Sequence, residues 1–338
     1  MLTITQLEKQ LFETNESNFT NHALAVFHYQ YHHQKVYRQY ADLLGVQPNA
    51  IQSIDDVPFM PISFFKTQII LDDDDTSGID DRMLVFESSG TTGEVSSKHY
   101  IRHPTIYQHS FLNGFTHFFG DVKQYTILAL LPSYIDRGNS SLVYMVDALM
   151  KESGKPNNGF YLSNHADLHT VLKQLEAKKE PTFLIGVTYA LLDFAEKFPM
   201  PLKYVKIMET GGMKGRRKEE IRENVHAILK KAFGLDQIYS EYGMTELLSQ
   251  AYSFRDGLFS CPPWMKICIR DRNDPLQVRK IGSGAINCID LANLHSCSFI
   301  ATEDIGEVLP DGDFYIHGRL DNTSLRGCSL MYTENKIE

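Results

Sequence analysis

Long hydrophobic runs are absent from this sequence. The most apolar stretch, YTILALL at residues 125–131, is far shorter than the ~20 residues that a helix needs to cross a bilayer. The first twenty residues, MLTITQLEKQLFETNESNFT, carry charges where a secretory signal would need an unbroken apolar segment. We therefore expect a cytoplasmic protein without a transmembrane segment.

Positive charge is also in short supply. The 338 residues include 33 Lys and Arg against 42 Asp and Glu, a formal net charge of −9, and no dense basic stripe occurs anywhere. This balance argues against a surface built to hold nucleic acid. The hydrophobic fraction of 43% is sufficient for a substantial core, and the length fits about two domains or one large α/β unit with an appendage.

Cysteine is sparse and poorly spaced for structural chemistry. The five cysteines contain no CxxC pair, which excludes a disulfide framework and a zinc site built on cysteine. Four of them (Cys261, Cys268, Cys288 and Cys297) are predicted to be small core or surface residues. The fifth, Cys328, is considered below with the end of the chain.

Hydrophobic periodicity predicts the organisation of the chain. Residues 1 to about 50 have helical spacing, with a stop at Gly45. The acidic run LDDDDTSGIDD at residues 71–81 is predicted to be a solvated loop. Beyond it, strand-like runs such as MLVFE, TFLIGV and LKYVKIME alternate with helical ones, which is typical of an α/β domain with a largely parallel sheet. From about residue 247, short segments with turns predict an antiparallel, barrel-like portion.

A loop rich in glycine and hydroxyl groups, SSGTTG at residues 88–93, directly follows the predicted strand MLVFE. Glycine lets backbone amides approach an anion closely, and hydroxyls add further donors. Lys98 places a positive charge just beyond. Neither a P-loop (GxxxxGK[ST]) nor a dinucleotide fingerprint (GxGxxG) is present, so the loop by itself fits a polar turn and a phosphate-binding loop equally well. His99 and His103, next along the chain, are predicted to face solvent.

Two further motifs favour a nucleotide site. In YSEYGMTEL (residues 239–247), Tyr242 offers an aromatic face for a base, Thr245 a donor for a phosphate, and Glu246 an oxygen ligand for Mg²⁺. In METGGMKGR (208–216), Gly211 and Gly212 provide bare backbone against which a flat ring could lie. Both motifs end predicted parallel strands, where α/β proteins bind ligands.

Together with EDIGEVLPDGDFYIHGRLD at residues 303–321, these motifs resemble the adenylate-forming superfamily of acyl-CoA synthetases, luciferases and peptide-synthetase adenylation domains. The resemblance covers residues 55 to 328. It implies that residues 88–93 grip the β- and γ-phosphates of ATP, that Asp304 binds ribose, that Arg319 reaches ribose or phosphate, and that Asp321 is the hinge. The implied ATP-binding residues are Ser88, Ser89, Gly90, Thr91, Thr92, Gly93, Lys98, Gly211, Gly212, Tyr242, Gly243, Asp304 and Arg319.

The end of the chain departs from the general pattern of that superfamily, whose members continue past the hinge as a small mobile domain. Here the sequence stops at Glu338, and LRGCSLMYTENKIE carries Cys328. One branch shares this shortening: the bacterial acyl-protein synthetases, the fatty-acid-activating component of bioluminescent fatty-acid reductase complexes. LLPSYIDRGNSSLVYM (130–145) and PFMPISFFK (58–66) also resemble that branch. In it, a cysteine near the C-terminus accepts the acyl group.

The resulting domain prediction is an adenylation domain over residues 1–320. It consists of a helical region to about 50, an α/β core from about 55 to 246 and a β-rich portion from about 247. Residues 321–338 are predicted to form a hinge and a cysteine-bearing tail.

The predicted function is ATP- and Mg²⁺-dependent activation of a fatty or other carboxylic acid as acyl-AMP, followed by transfer to Cys328 as a thioester. Thr245, Glu246 and Cys328 would be the catalytic residues, and a reductase or acyltransferase would take the acyl group. The alternative interpretation of Cys328 is a tail residue without a role. Arg326, two residues before it, is either a surface residue or an electrostatic aid to its thiolate. The alternatives are an acyl- or aryl-CoA ligase and a non-catalytic nucleotide- or acyl-binding relic.

Overall fold

A computed structural model describes residues 2–72, 83–88, 95–131, 139–162, 164–211 and 221–320. The helices are α1 (Ile4–Leu11), α2 (Phe19–His33), α3 (Lys35–Leu43), α4 (Phe64–Thr67), α5 (Pro104–Phe119), α6 (Ser141–Ser153), α7 (His165–Ala177), α8 (Thr188–Lys197) and α9 (Arg222–Phe233). The strands are β1 (Met60–Pro61), β2 (Leu84–Glu87), β3 (Lys98–Ile101), β4 (Thr126–Leu130), β5 (Gly159–Tyr161), β6 (Thr182–Val187), β7 (Val205–Thr210), β8 (Tyr239–Tyr242), β9 (Ala251–Arg255), β10 (Leu258–Ser260), β11 (Met265–Arg270), β12 (Val278–Arg279), β13 (Gly282–Asp290), β14 (Phe299–Val308) and β15 (Phe314–Arg319).

The N-terminal helical region is confirmed. Helix α1 begins at a capping box in which the Thr3 hydroxyl accepts from the amide of Gln6. After α1, the region of helical spacing forms two helices, because Gln34 adopts an extended conformation and its side chain caps α3 by accepting from the Tyr37 amide. The predicted stop is also found, since Gly45 has a φ of +73°, a conformation that favours glycine.

The parallel half of the main sheet has the strand order β5-β4-β6-β7-β8, with a helix in each connection. Every residue of β4 and β6 is buried, as is typical of a parallel sheet covered on both faces. The carboxyl ends of β7 and β8 carry the METGG and YGMTE motifs to the same edge of this sheet.

The antiparallel half begins where β9 pairs with β8, and it continues through β10, β15, β14, β13, β11 and β12. This change of pairing confirms the predicted change of character after residue 247. The two halves form one continuous sheet, and the short strand β1 adds to it by pairing with β14. The described part of the motif at residues 303–321 therefore lies on β14 and β15 and their connections, whereas Asp321, the predicted hinge, lies outside the described residues.

One strand was assigned to the wrong sheet. MLVFE was predicted as part of the parallel alternation, but β2 pairs antiparallel with β3 in a separate two-stranded sheet, with Glu87 opposite Lys98. A parallel partner requires a crossover of a dozen or more residues, whereas the chain here returns to β3 after only the glycine-hydroxyl segment.

Among the helices that the structure describes, none is both long enough and apolar enough to span a bilayer.

Candidate functional site

The neck of the glycine-hydroxyl loop is closed by hydrogen bonds between its two ends. The Ser88 amide donates to the Ser97 carbonyl at 3.0 Å, and the Ser97 amide donates to the Ser88 hydroxyl at 2.8 Å. Most of the predicted phosphate contacts (Ser89, Gly90, Thr91, Thr92 and Gly93) lie outside the described residues and stay predictions. The neck therefore sets the relative positions of Ser88 and Ser97, the described residues that flank that segment.

Lys98 is the first residue of β3 beyond the neck. Its ammonium group lies 3.4 Å from a carboxylate oxygen of Glu87, directly across the hairpin, and both side chains are well exposed. The exposed position leaves Lys98 accessible to an anionic ligand, and its contact with phosphate stays a prediction.

His99 was predicted to face solvent, and this prediction is wrong: the residue is 1% exposed. Its Nδ1 lies 2.9 Å from the Thr245 carbonyl oxygen, and its Nε2 lies 2.9 Å from the Ser296 hydroxyl. Burial lowers the pKa of the imidazole to about 4, so the ring is neutral at pH 7, and Nδ1 must hold the proton that the carbonyl accepts. The signal was in the sequence, because His99 alternates with Ile101 on β3 and both point inward. His103, by contrast, is exposed as predicted.

Glu246, the predicted Mg²⁺ ligand, lies at the same junction. It is 6% exposed; burial raises the pKa of its carboxyl group, and a hydrogen bond with the Ser97 side chain opposes that rise. Its backbone carbonyl accepts a hydrogen bond from Asn293 at 2.7 Å. Thr245, the preceding residue, is half-buried. The neck of the loop and the YGMTE motif, about 150 positions apart, therefore meet through His99 and Ser97.

The second and third motifs meet through Tyr242, whose hydroxyl donates to Asp304 at 2.8 Å. Asp304 lies opposite Arg319 in the β14–β15 register, and the Arg319 Nε is 3.4 Å from its other carboxylate oxygen. Burial raises the pKa of Asp304, while Tyr242 and Arg319 act against that rise. The ring of Tyr242 packs against Phe259 and Phe314. Stacking on adenine and binding of ribose stay predictions, but the three residues are brought together as expected.

Two carboxylates that were not predicted lie on the strands that end in the METGG and YGMTE motifs. They are Glu209 on β7 and Glu241 on β8. Burial opposes the ionisation of Glu209, but His226 at 3.8 Å, the charge of Arg222 and hydrogen bonds from Ser240 and Thr188 outweigh it and lower its pKa to about 2. Glu241 has the opposite balance: burial raises its pKa to about 7 although the Thr210 hydroxyl donates to it.

Two glycines border these carboxylates. Gly211 has a φ of +69°, and its carbonyl accepts from the Thr188 hydroxyl at 2.6 Å. A Cβ at Gly243 would lie 2.3 Å from a carboxylate oxygen of Glu241, so a larger residue there would displace the Glu241 side chain. The roles proposed for both glycines in ATP binding stay predictions, and Gly212 lies outside the described residues.

The acidic run differs from its prediction at Asp72, and residues 73–81 lie outside the described residues. Asp72 was predicted in a solvated loop, yet it is 4% exposed. Its carboxylate lies 3.2 Å from the Arg102 Nε and 2.8 Å from the His295 Nδ1, so two cationic or donor groups compensate for its burial. The sequence carries no signal for this burial, because Asp72 is the first residue of a uniform run of four aspartates.

The cysteines of the described residues are poor candidates for an acyl acceptor. Cys268, Cys288 and Cys297 are buried, and burial raises the pKa of Cys268 and of Cys297 to about 12. Cys261 is half-buried, and burial raises the pKa of its thiol as well. A thiol is a weak nucleophile until it loses its proton. Cys328 lies outside the described residues.

Comparison with known proteins gives these features a family context. The family model described as "Acyl-protein synthetase, LuxE" matches residues 7–108. A curated relative, the long-chain-fatty-acid–luciferin-component ligase of Vibrio harveyi, is 24% identical over 331 residues, covering 91% of this chain and 85% of the relative. The predicted resemblance to the acyl-protein synthetases is confirmed, and the predicted enzyme class, a ligase, agrees with the relative's name.

Solved structures support the fold. ATP-bound MatB from Rhodopseudomonas palustris has a TM-score of 0.52 at 15% identity, over 70% of this chain and 47% of that chain. The O-succinylbenzoate coenzyme A synthetase from Bacillus subtilis, in complex with ATP and magnesium ion, has a TM-score of 0.52 at 16% identity, over 70% and 49%. The chain spans about half the length of these two proteins. The likeness confirms the predicted adenylate-forming fold.

Proposed function

We propose that this chain is an ATP-dependent acyl-protein synthetase, which activates a fatty acid as acyl-AMP and transfers the acyl group to its own Cys328. The observation that carries the proposal is the meeting of three distant motifs. Ser97 and His99 join the neck of the glycine-hydroxyl loop to residues 245–246, and Tyr242 joins that motif to Asp304. The name of the Vibrio harveyi relative favours a long-chain fatty acid as the substrate.

In the first half-reaction, a carboxylate oxygen of the fatty acid attacks the α-phosphorus of ATP, and pyrophosphate leaves. The backbone amides and hydroxyls of residues 88–93 would hold the β- and γ-phosphates together with Lys98, and Thr245 would donate to the α-phosphate. The buried Glu246 carboxylate offers the hard oxygen that Mg²⁺ prefers, so the residues present fit the metal. When bound with ATP, Mg²⁺ supplies neutralisation of the developing phosphate charge.

The nucleoside would lie on the strand side of the same site. Tyr242 offers its ring to adenine, and Asp304 and Arg319 offer an acceptor and a donor set to the ribose hydroxyls and a phosphate. Gly211 and Gly212, at the end of β7, leave bare backbone for the flat base. The register of β14 and β15 holds Asp304 and Arg319 opposite each other before any ligand arrives, which lowers the cost of ordering them.

In the second half-reaction, the Cys328 thiolate attacks the acyl carbon of the mixed anhydride. A carbon–sulfur bond forms, the bond from the acyl carbon to the phosphate oxygen breaks, and AMP leaves with the electron pair. The buried state of Cys268, Cys288 and Cys297 supports this choice of nucleophile. A reductase or acyltransferase would then receive the acyl group from the thioester.

The test is self-acylation with MgATP and radiolabelled fatty acids of graded chain length. We expect label that survives denaturing electrophoresis and is released by neutral hydroxylamine, as a thioester is. Cys328→Ser should abolish it, whereas the matched change Cys261→Ser, at a half-buried cysteine, should leave it. Label retained by Cys328→Ser would remove that residue from the mechanism.

Exchange of pyrophosphate into ATP reports the first half-reaction separately. It should depend on the fatty acid, persist in Cys328→Ser and be lost in Glu246→Gln. Exchange without self-acylation, together with release of an acyl-CoA when CoA is added, would identify a CoA ligase instead. No exchange with any acid would identify a binding protein without catalytic activity.

A further inference from the structure

A second group of polar side chains lies away from Glu246, where three separate parts of the chain meet. Glu8 comes from α1, His103 follows β3 directly, and His295 precedes β14. One potential ligand atom from each of the three lies within 4.8 Å of the other two, and this is the only such group of histidine, cysteine or acidic residues within the described ranges. A shallow pocket lined by His103, His295, Arg102 and Ala292 opens beside it.

His295 is held from both sides by carboxylates. Its Nε2 lies 2.8 Å from a Glu8 oxygen, and its Nδ1 lies 2.8 Å from an Asp72 oxygen. Asp72 is itself fixed by the Arg102 guanidinium at 3.2 Å and by the Tyr29 hydroxyl, which donates to it at 3.2 Å. The imidazole therefore has one fixed orientation, with Nε2 directed at Glu8.

We propose that Glu8, His103 and His295 bind one Zn²⁺ ion, with Asp72 as the outer carboxylate that orients His295. Two imidazoles and a carboxylate form a ligand set that suits zinc, and a carboxylate on the second nitrogen of a ligating histidine is the usual support of such sites. Magnesium prefers an all-oxygen set, so the site differs in kind from the one proposed at Glu246.

The spacing requires only side-chain movement. Ligand atoms around tetrahedral zinc stand about 3.3 Å apart, so the group must contract by up to about 1.5 Å on its widest side and open slightly between Glu8 and His295. The His103 and His295 rings are already 4.4 Å apart between centroids. His103 is exposed and Glu8 is one-third exposed, so the ion has an entry path and water can take the fourth position.

The location gives the ion a structural consequence. His295 is next to Ser296, which hydrogen-bonds His99 beneath the neck of the loop. His103 lies at the start of α5, two residues beyond the end of β3. Zinc would therefore tie α1 to the base of the hairpin that carries the glycine-hydroxyl loop.

The test is zinc binding by the full chain, stripped with a chelator and kept free of nucleotide. Zn²⁺ is titrated in competition with a chromophoric chelator, and Co²⁺ is then substituted to read its visible spectrum. We expect one ion per chain and the intense absorption of a four-coordinate cobalt site. His103→Ala and Glu8→Gln should each weaken binding at least ~10-fold.

The matched control is His117→Ala, which removes an exposed histidine from the last turn of the same helix, α5. This variant should bind zinc as the wild type does. Zinc should also raise the unfolding temperature of the wild type and of His117→Ala but not of His103→Ala. Absence of stoichiometric binding in the wild type would overturn the proposal, as would equal binding by wild type and His103→Ala.

Discussion

The two sides of the candidate nucleotide site are held in different ways. On the strand side, Asp304 and Arg319 lie opposite each other because β14 and β15 pair in register, and the Tyr242 hydroxyl reaches Asp304 from β8. On the loop side, the hairpin of β2 and β3 is joined to residues 245–246 by hydrogen bonds of the His99 imidazole and the Ser97 side chain. The loop side therefore depends on single side chains for its attachment. On the strand side, the backbone hydrogen bonds between β14 and β15 also hold Asp304 and Arg319 in place.

The largest expected effect is therefore that of His99→Ala. The change leaves the Thr245 carbonyl and the Ser296 hydroxyl without their partner, and it opens a cavity beside Phe65, whose ring packs against His99. We expect a loss of about 3 kcal/mol in the free energy of unfolding, measured by urea denaturation. His117→Ala, at an exposed position, should lose less than about 0.5 kcal/mol. Equal losses in the two variants would show that the loop side does not depend on this imidazole.

The second prediction concerns the strand side and its dependence on pH. The carboxyl group of Glu241 has a pKa raised by burial from 4.5 to about 7, so the folded state keeps a proton that the unfolded state has lost. Stability should therefore fall as the pH rises from about 4.5 to about 7, and change little through this group above that. Glu241→Gln cannot lose that proton, and it keeps an acceptor for the Thr210 hydroxyl.

The measurement is the free energy of unfolding of both proteins between about pH 5 and about pH 8. Across this range, the free energy of unfolding of the wild type should fall by about 2 kcal/mol relative to that of the variant. The full pKa shift would give a larger fall, but Glu241 keeps part of its surface exposed, and solvent screening reduces the effect. Parallel curves would mean that Glu241 is ionised in the folded protein throughout. Glu209, with its pKa lowered to about 2, should not contribute in this range.

The parts of the fold that could be predicted from the sequence are those set by local patterns along the chain. Helices α7 and α8 and strands β4, β6 and β7 follow from hydrophobic periodicity and from the alternation of the two element types. Tyr242 was predicted because its motif ends a strand of the α/β alternation, whereas Asp304 and Arg319 were predicted from the resemblance to the adenylate-forming superfamily. Strand order within the antiparallel half was not predictable, since period-2 patterns do not specify which strands pair.

The residues that were missed depend on partners distant in the sequence. The alternation of β3 indicates that His99 points inward, but its partner, a backbone carbonyl 146 positions away, has no signature in the sequence. Asp72 is buried while it begins a run of four aspartates, because Arg102 and His295 happen to lie beside it. Local composition predicts the average environment of a residue, whereas burial of a polar group depends on whether the fold supplies a compensating partner.

Tyr242→Phe should have the smallest effect of the three changes and sharpens the comparison most directly. The variant keeps the ring against Phe259 and Phe314 and removes only the hydroxyl that donates to Asp304. Arg319 still lies beside the carboxylate, so we expect a loss of about 1 kcal/mol in the free energy of unfolding by the same urea measurement. Tyr315→Phe, on β15, serves as the control and should change stability by less than about 0.5 kcal/mol. A loss in Tyr242→Phe as large as that in His99→Ala would mean that the strand side also depends on one hydrogen bond. In that case the backbone pairing of β14 and β15 would not hold Asp304 and Arg319 in place without the Tyr242 hydroxyl.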